Sequence, residues 1–257
     1  MKTVLETTFT PADFETLLAR DLGGATCVVF DILRATTSMN AALANGAEAI
    51  IPVATIEDAL AIRRDRPEVL LAGERNGVRI TAEISGGVEF DLGNSPREYT
   101  AAVVAGRTIV STTTNGTRAL RACVGARHVL IASLQNLRSV ANWIEVNEVR
   151  HLILVCAGTE EEASYEDMIG AGALADMLTP LFVAGHVSDA AEMARQTYRI
   201  MQRDLYSAMQ YARNGRRLLS IPELKEDVRF CVQRESLALV AGMNDAGEVR
   251  LLEQGAA

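Results

Sequence analysis

Three stretches of this chain place acids, an arginine or clustered hydroxyls directly after a run of apolar residues. Cys27-Val28-Val29-Phe30 ends on Asp31 and is followed by Arg34, Thr36, Thr37 and Ser38. Thr108-Ile109-Val110 leads into Ser111-Thr112-Thr113-Thr114 and then Asn115-Gly116-Thr117, after which Ala119, Leu120 and Ala122 begin a helical pattern. His151 to Ala157 (HLILVCA) runs into Gly158-Thr159, an acidic Glu160-Glu161-Glu162, and Ser164 with Glu166 and Asp167. Each reads as a buried strand, a polar turn and the start of a helix. In a parallel α/β sheet such strand ends are where ligands bind. Carboxylates suit a hard octahedral cation such as Mg²⁺, and arginine, hydroxyls and unpaired N–H groups at a helix start suit an oxyanion. That combination points to Mg²⁺-assisted phosphoryl transfer. Two ordinary accounts stand beside it. Residues 113–117 also read as a Thr-rich cap with an Asn-Gly turn, and Glu166 and Asp167 also read as first-turn acids of a helix capped by Ser164.

Between the first two stretches lie further charged and turn-forming residues. Leu70 to Gly77 ends a strand on Glu74 and Arg75, and Phe90-Asp91-Leu92-Gly93-Asn94-Ser95-Pro96 is a turn with an embedded acid. Asp91 and Asn94 are placed either in the site or in closing their own turn. Glu160, Glu161 and Glu162 are read as a solvated edge.

Composition removes several other chemistries. No G-x-x-x-x-G-K-[ST] is present, so this is not a Walker P-loop protein. Three histidines, none beside another, leave too few parts for a His-rich metal site or a Ser-His-Asp hydrolase. Cys27, Cys123, Cys156 and Cys231 form no C-x-x-C pair and are expected to be buried thiols of a reducing cytoplasm. A formal charge of −8 argues against nucleic acid or an anionic membrane as partner. The N-terminus has no apolar core of signal-peptide length, so a cytoplasmic location is expected. The expected partner is a small anionic phosphorylated substrate.

The elements that must position these residues follow from periodicity. The pattern predicts an α/β fold, a three-layer α/β/α arrangement on a largely parallel or mixed sheet, in a single domain over 1–257. Superposing Gly46-Ala47 on Gly125-Ala126 aligns two strand–Thr-rich loop–helix–strand–helix units, about 25–70 and 105–145. They read either as two fused βαβ halves or as chance likeness. A helix is expected from Pro11 to near Gly23-Gly24, another over Met39 to Asn45, and a long amphipathic one from Ser188 to about Arg213, stopped by Asn214-Gly215. Ala191, Ala194, Tyr198, Met201, Leu205 and Met209 would give the last an apolar face for core or partner. The tail is read as a helix near Glu223 to Gln233 and strands at Leu237 to Ala241 and Glu248 to Leu252. A homodimer, the commonest oligomer, is the default.

Five ordered motifs carry a resemblance over about 30–240. DILRATTS at Asp31 to Ser38, GERNG at Gly73 to Gly77, FDLGNSP at Phe90 to Pro96, TTTNGTRAL at Thr112 to Leu120, and CAGT with Ser-x-Glu-Asp at Cys156 to Asp167 are similar to the 2-phosphosulfolactate phosphatases, the ComB-like proteins. The resemblance implies an Mg²⁺-dependent phosphatase of a distinct α/β fold that converts 2-phosphosulfolactate and water to sulfolactate and phosphate. It also implies a step of coenzyme M biosynthesis or other sulfonate metabolism. Haloacid dehalogenase phosphatases also place an Asp after their first strand, but their second acid would fall at Leu33, so no phospho-aspartate mechanism is carried over. On this reading Asp31, Glu74 and Asp167 are catalytic, and the metal set is drawn from Asp31, Glu74, Asp91, Glu166 and Asp167. Arg34, Thr36, Thr37, Arg75, Asn94, Ser95, Thr113, Thr114, Asn115, Gly116 and Thr117 would hold the phosphate or sulfonate. Alternatives are a phosphatase for another small phosphorylated hydroxy acid and a non-catalytic anion sensor.

Overall fold

Strand β2 (Thr26–Phe30) is buried at all five positions, as a short unbroken apolar run demands when a strand is covered on both faces. Its side chains divide with the period of the strand. Val28 and Phe30 join one apolar cluster, with Leu130, Leu154 and helix residues Val140, Leu174 and Val228. Cys27 and Val29 join a second on the other face, with Ile131, Ile153, Phe14, Leu43 and Leu120. Helices therefore cover both faces of the sheet, in three layers. A computed structural model of the chain describes residues 2–252; residue 1 and residues 253–257 of the expected single domain lie outside the described residues.

In chain order the elements are β1 (Val4–Thr8), α1 (Ala12–Leu18), β2, α2 (Ala35–Ala44), β3 (Ala49–Pro52), α3 (Ile56–Asp65), β4 (Leu70–Arg75), β5 (Val78–Arg79), α4 (Ala82–Ser85) and α5 (Ala101–Val104). There follow β6 (Thr108–Thr112), α6 (Gly116–Ala122), β7 (His128–Ala132), α7 (Leu137–Val146), β8 (His151–Cys156), α8 (Tyr165–Phe182), β9 (His186–Val187) and α9 (Asp189–Met201). The last are α10 (Leu205–Ala208), α11 (Arg213–Ser220), α12 (Lys225–Cys231), β10 (Ala241–Met243) and β11 (Val249–Leu251).

The sheet order is β5-β4-β6-β3-β11-β10-β7-β2-β8-β1-β9. Strands β4, β6 and β3 are mutually parallel, as are β7, β2, β8, β1 and β9. The hairpin β10–β11 is antiparallel to both groups, so the two groups run in opposite directions. Strand β2 lies between β7 and β8, and β6 between β3 and β4, so each βαβαβ segment lends its first strand to the middle of the other's trio.

Several boundaries differ from the sequence expectations. Helix α2 begins at Ala35 rather than Met39, because Asp31 Oδ1 accepts the Ala35 N–H from outside the helix and Thr36 and Thr37 turn their hydroxyls back onto the carbonyls of Asp31 and Ile32. Helix α1 ends at Leu18, short of Gly23-Gly24, with Arg20 drawn off to Glu6 at 2.9 Å. The single helix expected over 188–213 is three. Ser188 caps α9, Asp204 recaps the chain by accepting the Ser207 N–H, and Asn214-Gly215 lies inside α11 instead of ending a helix. A side chain at Gly215 would overlap the Met209 carbonyl, so this glycine serves close packing. Ala191, Ala194, Tyr198, Leu205 and Met209 are buried within this fold, which assigns that apolar face to the core. The strand expected from Leu237 begins only at Ala241, since the Leu237 N–H goes to Gln135 O in a loop. All four cysteines are buried thiols. Among the described residues no helix is long and apolar enough to cross a membrane.

Helix α8 crosses α9 at Gly172, where a Cβ would overlap the Ala194 carbonyl. Gly172→Ala is expected to lower stability by about 1–3 kcal/mol through overpacking, read as a lower urea midpoint with an unchanged slope.

Candidate active site

Asp31 is the first residue beyond β2, and its surroundings account for its position. Its N–H donates to the Thr36 hydroxyl at 3.0 Å, and its Oδ1 accepts the Ala35 N–H at 3.0 Å. Asp167, in the first turn of α8, accepts the N–H groups of Ile32 (2.8 Å) and Gly158 (3.2 Å), tying the end of β2 to the end of β8. Helix α6 arrives from the oppositely running group and starts at Gly116. A Cβ there would lie 2.8 Å from Asp31 Oδ2 and 2.8 Å from the Ala35 Cβ, so only glycine lets the two helix starts meet.

Glu74, near the end of β4, is fixed at both oxygens. Oε1 accepts the Thr114 N–H (3.1 Å) and hydroxyl (2.8 Å), and Oε2 accepts the Gly77 N–H at 2.7 Å. Gly77 holds a left-handed turn at φ +80°. Arg34 reaches the same turn, with Nη2 donating to Gly77 O and Nη1 to Asp227, each at 2.7 Å. Asp227, on α12, is fully buried and also accepts the Ser95 hydroxyl (2.7 Å) and Arg97 Nε (2.8 Å). These elements enclose a pocket lined by Asp31, Arg34, Glu74, Asn76, Asn94, Thr113, Thr114 and Asn115, closed on one side by Thr159 and Glu160 and on another by Asn214 and Arg217 of α11.

The electrostatics are those of crowded, dry carboxylates. Burial, reinforced by Glu74 and Glu166, pushes the Asp31 carboxyl up to about 7, against the Ala35 N–H that favours its charged form. Burial likewise raises Asp167 well above the usual carboxylate range, with Asp31 and Glu166 adding to it. Glu166 is raised by burial too, and its own backbone N–H and the charge of Arg213 offset part of the effect. Three buried polar atoms here have no partner, Glu166 Oε2, Ser164 Oγ and Thr113 Oγ1, the last on a residue lining the pocket. A buried polar atom without a partner is costly, and a water, an ion or a ligand would complete it. Among the described residues no three or more His, Cys, Asp and Glu side chains converge in metal-binding geometry. A cation that takes one or two carboxylates and keeps several waters, as Mg²⁺ does, asks for no more than Asp31 and Glu166 offer.

The expected residues thus sort into three places. Asp31, Arg34, Glu74, Asn94, Thr113, Thr114 and Asn115 line the pocket. Thr36, Thr37, Ser95, Gly116, Thr117, Glu166 and Asp167 are buried behind it. The hydroxyls of Thr36 and Thr37 serve the backbone, Thr117 donates to Thr113 O, and both Asp167 oxygens are occupied by backbone donors. Arg75 and Asp91 do not line the pocket. Arg75 folds onto Glu74 O and Thr112, and Asp91 pairs with Arg63 at 2.5 Å and accepts the Leu71 N–H. Glu161 and Glu162 are exposed partners of Arg118 and Arg213, as a solvated edge requires, whereas Glu160 stands on the pocket rim. Sequence reasoning missed Asp227, Asn214 and Arg217. The basic run Arg213-Asn214-Gly215-Arg216-Arg217 was a usable signal for the last two, obscured by taking Asn-Gly as a stop. Asp227 carries no local signal, because its meaning lies in an arginine far away in sequence.

A family model described as 2-phosphosulpholactate phosphatase matches residues 12–246. Among curated relatives, a protein of Caldanaerobacter subterraneus subsp. tengcongensis is 39% identical over 225 residues, covering 86% of this chain and 88% of the relative. One of Symbiobacterium thermophilum is 38% identical over 237 residues, covering 91% and 97%, and one of Clostridium acetobutylicum is 36% identical over 217, covering 84% and 88%. All three bear the name "Probable 2-phosphosulfolactate phosphatase".

The raised Asp31 carboxyl sets the sign of a pH effect. Between the ordinary aspartate value and about 7 the folded protein holds a proton that the unfolded chain has lost, so stability falls as pH rises through that window. In EDTA the protein is expected to be more stable at pH 5 than at pH 8, with a slope from this group of at most about 1.4 kcal/mol per pH unit, and Asp31→Asn should flatten it. Gly116→Ala is expected to displace Asp31 and remove ligand binding, seen by calorimetry, while the circular dichroism spectrum is kept.

Proposed function

Since this chain belongs to the 2-phosphosulpholactate phosphatase family, we propose that it hydrolyses the phosphate monoester of 2-phosphosulfolactate, releasing sulfolactate and inorganic phosphate. The observation that carries the reading is Asp31, a buried carboxylate that opens into a polar pocket beside Arg34. In the proposed reaction water attacks phosphorus in line, and the Asp31 carboxylate takes the proton that the water sheds. Arg34, held by Asp227 and by Gly77 O, keeps further guanidinium donors for the phosphate oxygens, where charge is spread in the transition state. The Thr113 hydroxyl, buried and unpartnered, donates to the same group. Glu74 keeps the Thr113–Gly116 turn in register through Thr114. Mg²⁺ would be held by Asp31 and Glu166, and when bound it would neutralise negative charge on the phosphate.

Phosphate release from 2-phosphosulfolactate, 2-phospholactate and 3-phosphoglycerate, each with Mg²⁺ and with EDTA, tests the reading. Turnover is expected with Mg²⁺, to be abolished by EDTA, and to be fastest on the sulfonate. Asp31→Asn is expected to lower kcat about 10²- to 10⁴-fold with a much smaller change in KM. Turnover of the carboxylates alone would reassign the substrate, and no release from any of the three would overturn the activity.

A further inference from the structure

Two guanidinium groups meet at a single residue of the pocket, Gly77. Arg34 donates Nη2 to its carbonyl and spends Nη1 on Asp227. Arg217, from α11, lies against the other part of the glycine. Its Cζ, Nε and Nη2 are each 3.9 Å from the point where a Gly77 Cβ would stand, so the guanidinium lies flat over the missing side chain. These are the two cationic side chains among the residues lining the pocket. They differ in circumstance. Arg34 is buried and ion-paired, whereas the Arg217 side chain is exposed and makes no hydrogen bond or ion pair among the described residues.

We propose that Arg217 is the specificity-determining residue of this site, receiving the sulfonate of the substrate while the phosphate sits beneath Arg34. The proposal rests on the substrate reading above and assigns a place to its second anion. In 2-phosphosulfolactate the phosphate oxygen and the carboxylate share one carbon and the sulfonate is on the next. With phosphorus held over Asp31, the sulfonate is the anionic group that reaches furthest outward, towards the rim on which Arg217 stands. A sulfonate stays ionised at every working pH and presents three oxygens, which a guanidinium fork meets with two parallel donors and an ammonium does not. Asp31, Glu74 and Glu160 line the same pocket, so an extended polyanion entering it needs an uncompensated cation on its path. The second arginine expected from sequence, Arg75, is turned onto Thr112 and leaves that task to Arg217.

The test compares Arg217→Ala and Arg217→Lys with the wild type on 2-phosphosulfolactate and 2-phospholactate, which has a methyl group in place of CH₂SO₃⁻. For Arg217→Ala, kcat/KM for the sulfonate is expected to fall about 10- to 100-fold more than for 2-phospholactate, mostly through KM, the scale of a lost charge-assisted hydrogen bond. Arg217→Lys is expected to recover only part of the difference. Equal losses on both substrates would overturn the assignment, since Arg217 would then serve the phosphate or carboxylate. Calorimetry with sulfolactate and lactate separates this proposal from the activity itself. If the wild type releases no phosphate yet binds sulfolactate more tightly, and Arg217→Ala erases that preference, the reaction is wrong and the subsite right. No preference for sulfolactate in the wild type would overturn the subsite.

Discussion

The contact between Asp31 and Gly116 is the constraint on which the pocket depends. Strands β2 and β6 are five places apart in a sheet whose strands are spaced by about 4.8 Å, so a flat sheet would hold their ends roughly 24 Å from one another. They also run in opposite directions. The two ends nevertheless meet, with Asp31 packed against Gly116, and among the described residues the two strand groups are joined only through the short hairpin β10–β11, which pairs with β3 through Val249 and Ile50. A side chain at 116 would strike both Asp31 and Ala35, so the absence of a Cβ at this position is what closes the site. Because β2 and β6 each sit inside the trio of the other segment, the two loops that meet here are anchored by both parts of the chain.

A second constraint is the buried pair of Arg34 and Asp227. Removing charges from water is costly, and a buried ion pair adds little net stability even when its geometry is good. What it does here is geometric. Asp227 gathers Arg34 and the turn that carries Ser95 and Arg97 onto α12, and Arg34 passes that order on to the Gly77 turn. Gly77 in turn orders Glu74 through its N–H, and Glu74 orders Thr114. The pocket wall is therefore one connected hydrogen-bonded chain running from α12 to the start of α6. Its members are charge-assisted and largely dry, which makes each bond stronger and each loss more expensive.

Against that rigid wall the carboxylates are in tension. Asp31, Glu166 and Asp167 are buried and raise one another's proton affinity, so protons or cations are drawn to the group. Asp167 is settled by two backbone donors, while Glu166 keeps an oxygen with no partner. Catalytic sites gather such perturbed proton affinities, and buried networks of charges produce them as well.

How much of this was legible in the sequence depended on how local the cause was. Unbroken apolar runs such as 27–30 and 152–156 determined the buried strands, because a strand covered on both faces needs no polar residue. The polar turns after them marked Asp31, Glu74 and the Thr113–Asn115 stretch, since turn chemistry is read from neighbours. The five ordered motifs identified the family. Tertiary structure decided the rest. Asp91 and Arg75 had the right types and positions, but an ion pair with Arg63 and a bond to Thr112 draw them elsewhere, and neither partner is implied locally. Asp227, Asn214 and Arg217 entered because α11 and α12 fold back over the strand ends, and the break at Asp204 that lets them do so lay within a continuous amphipathic pattern. Periodicity records which face of an element is apolar, and only packing determines where that element ends and what its polar residues meet.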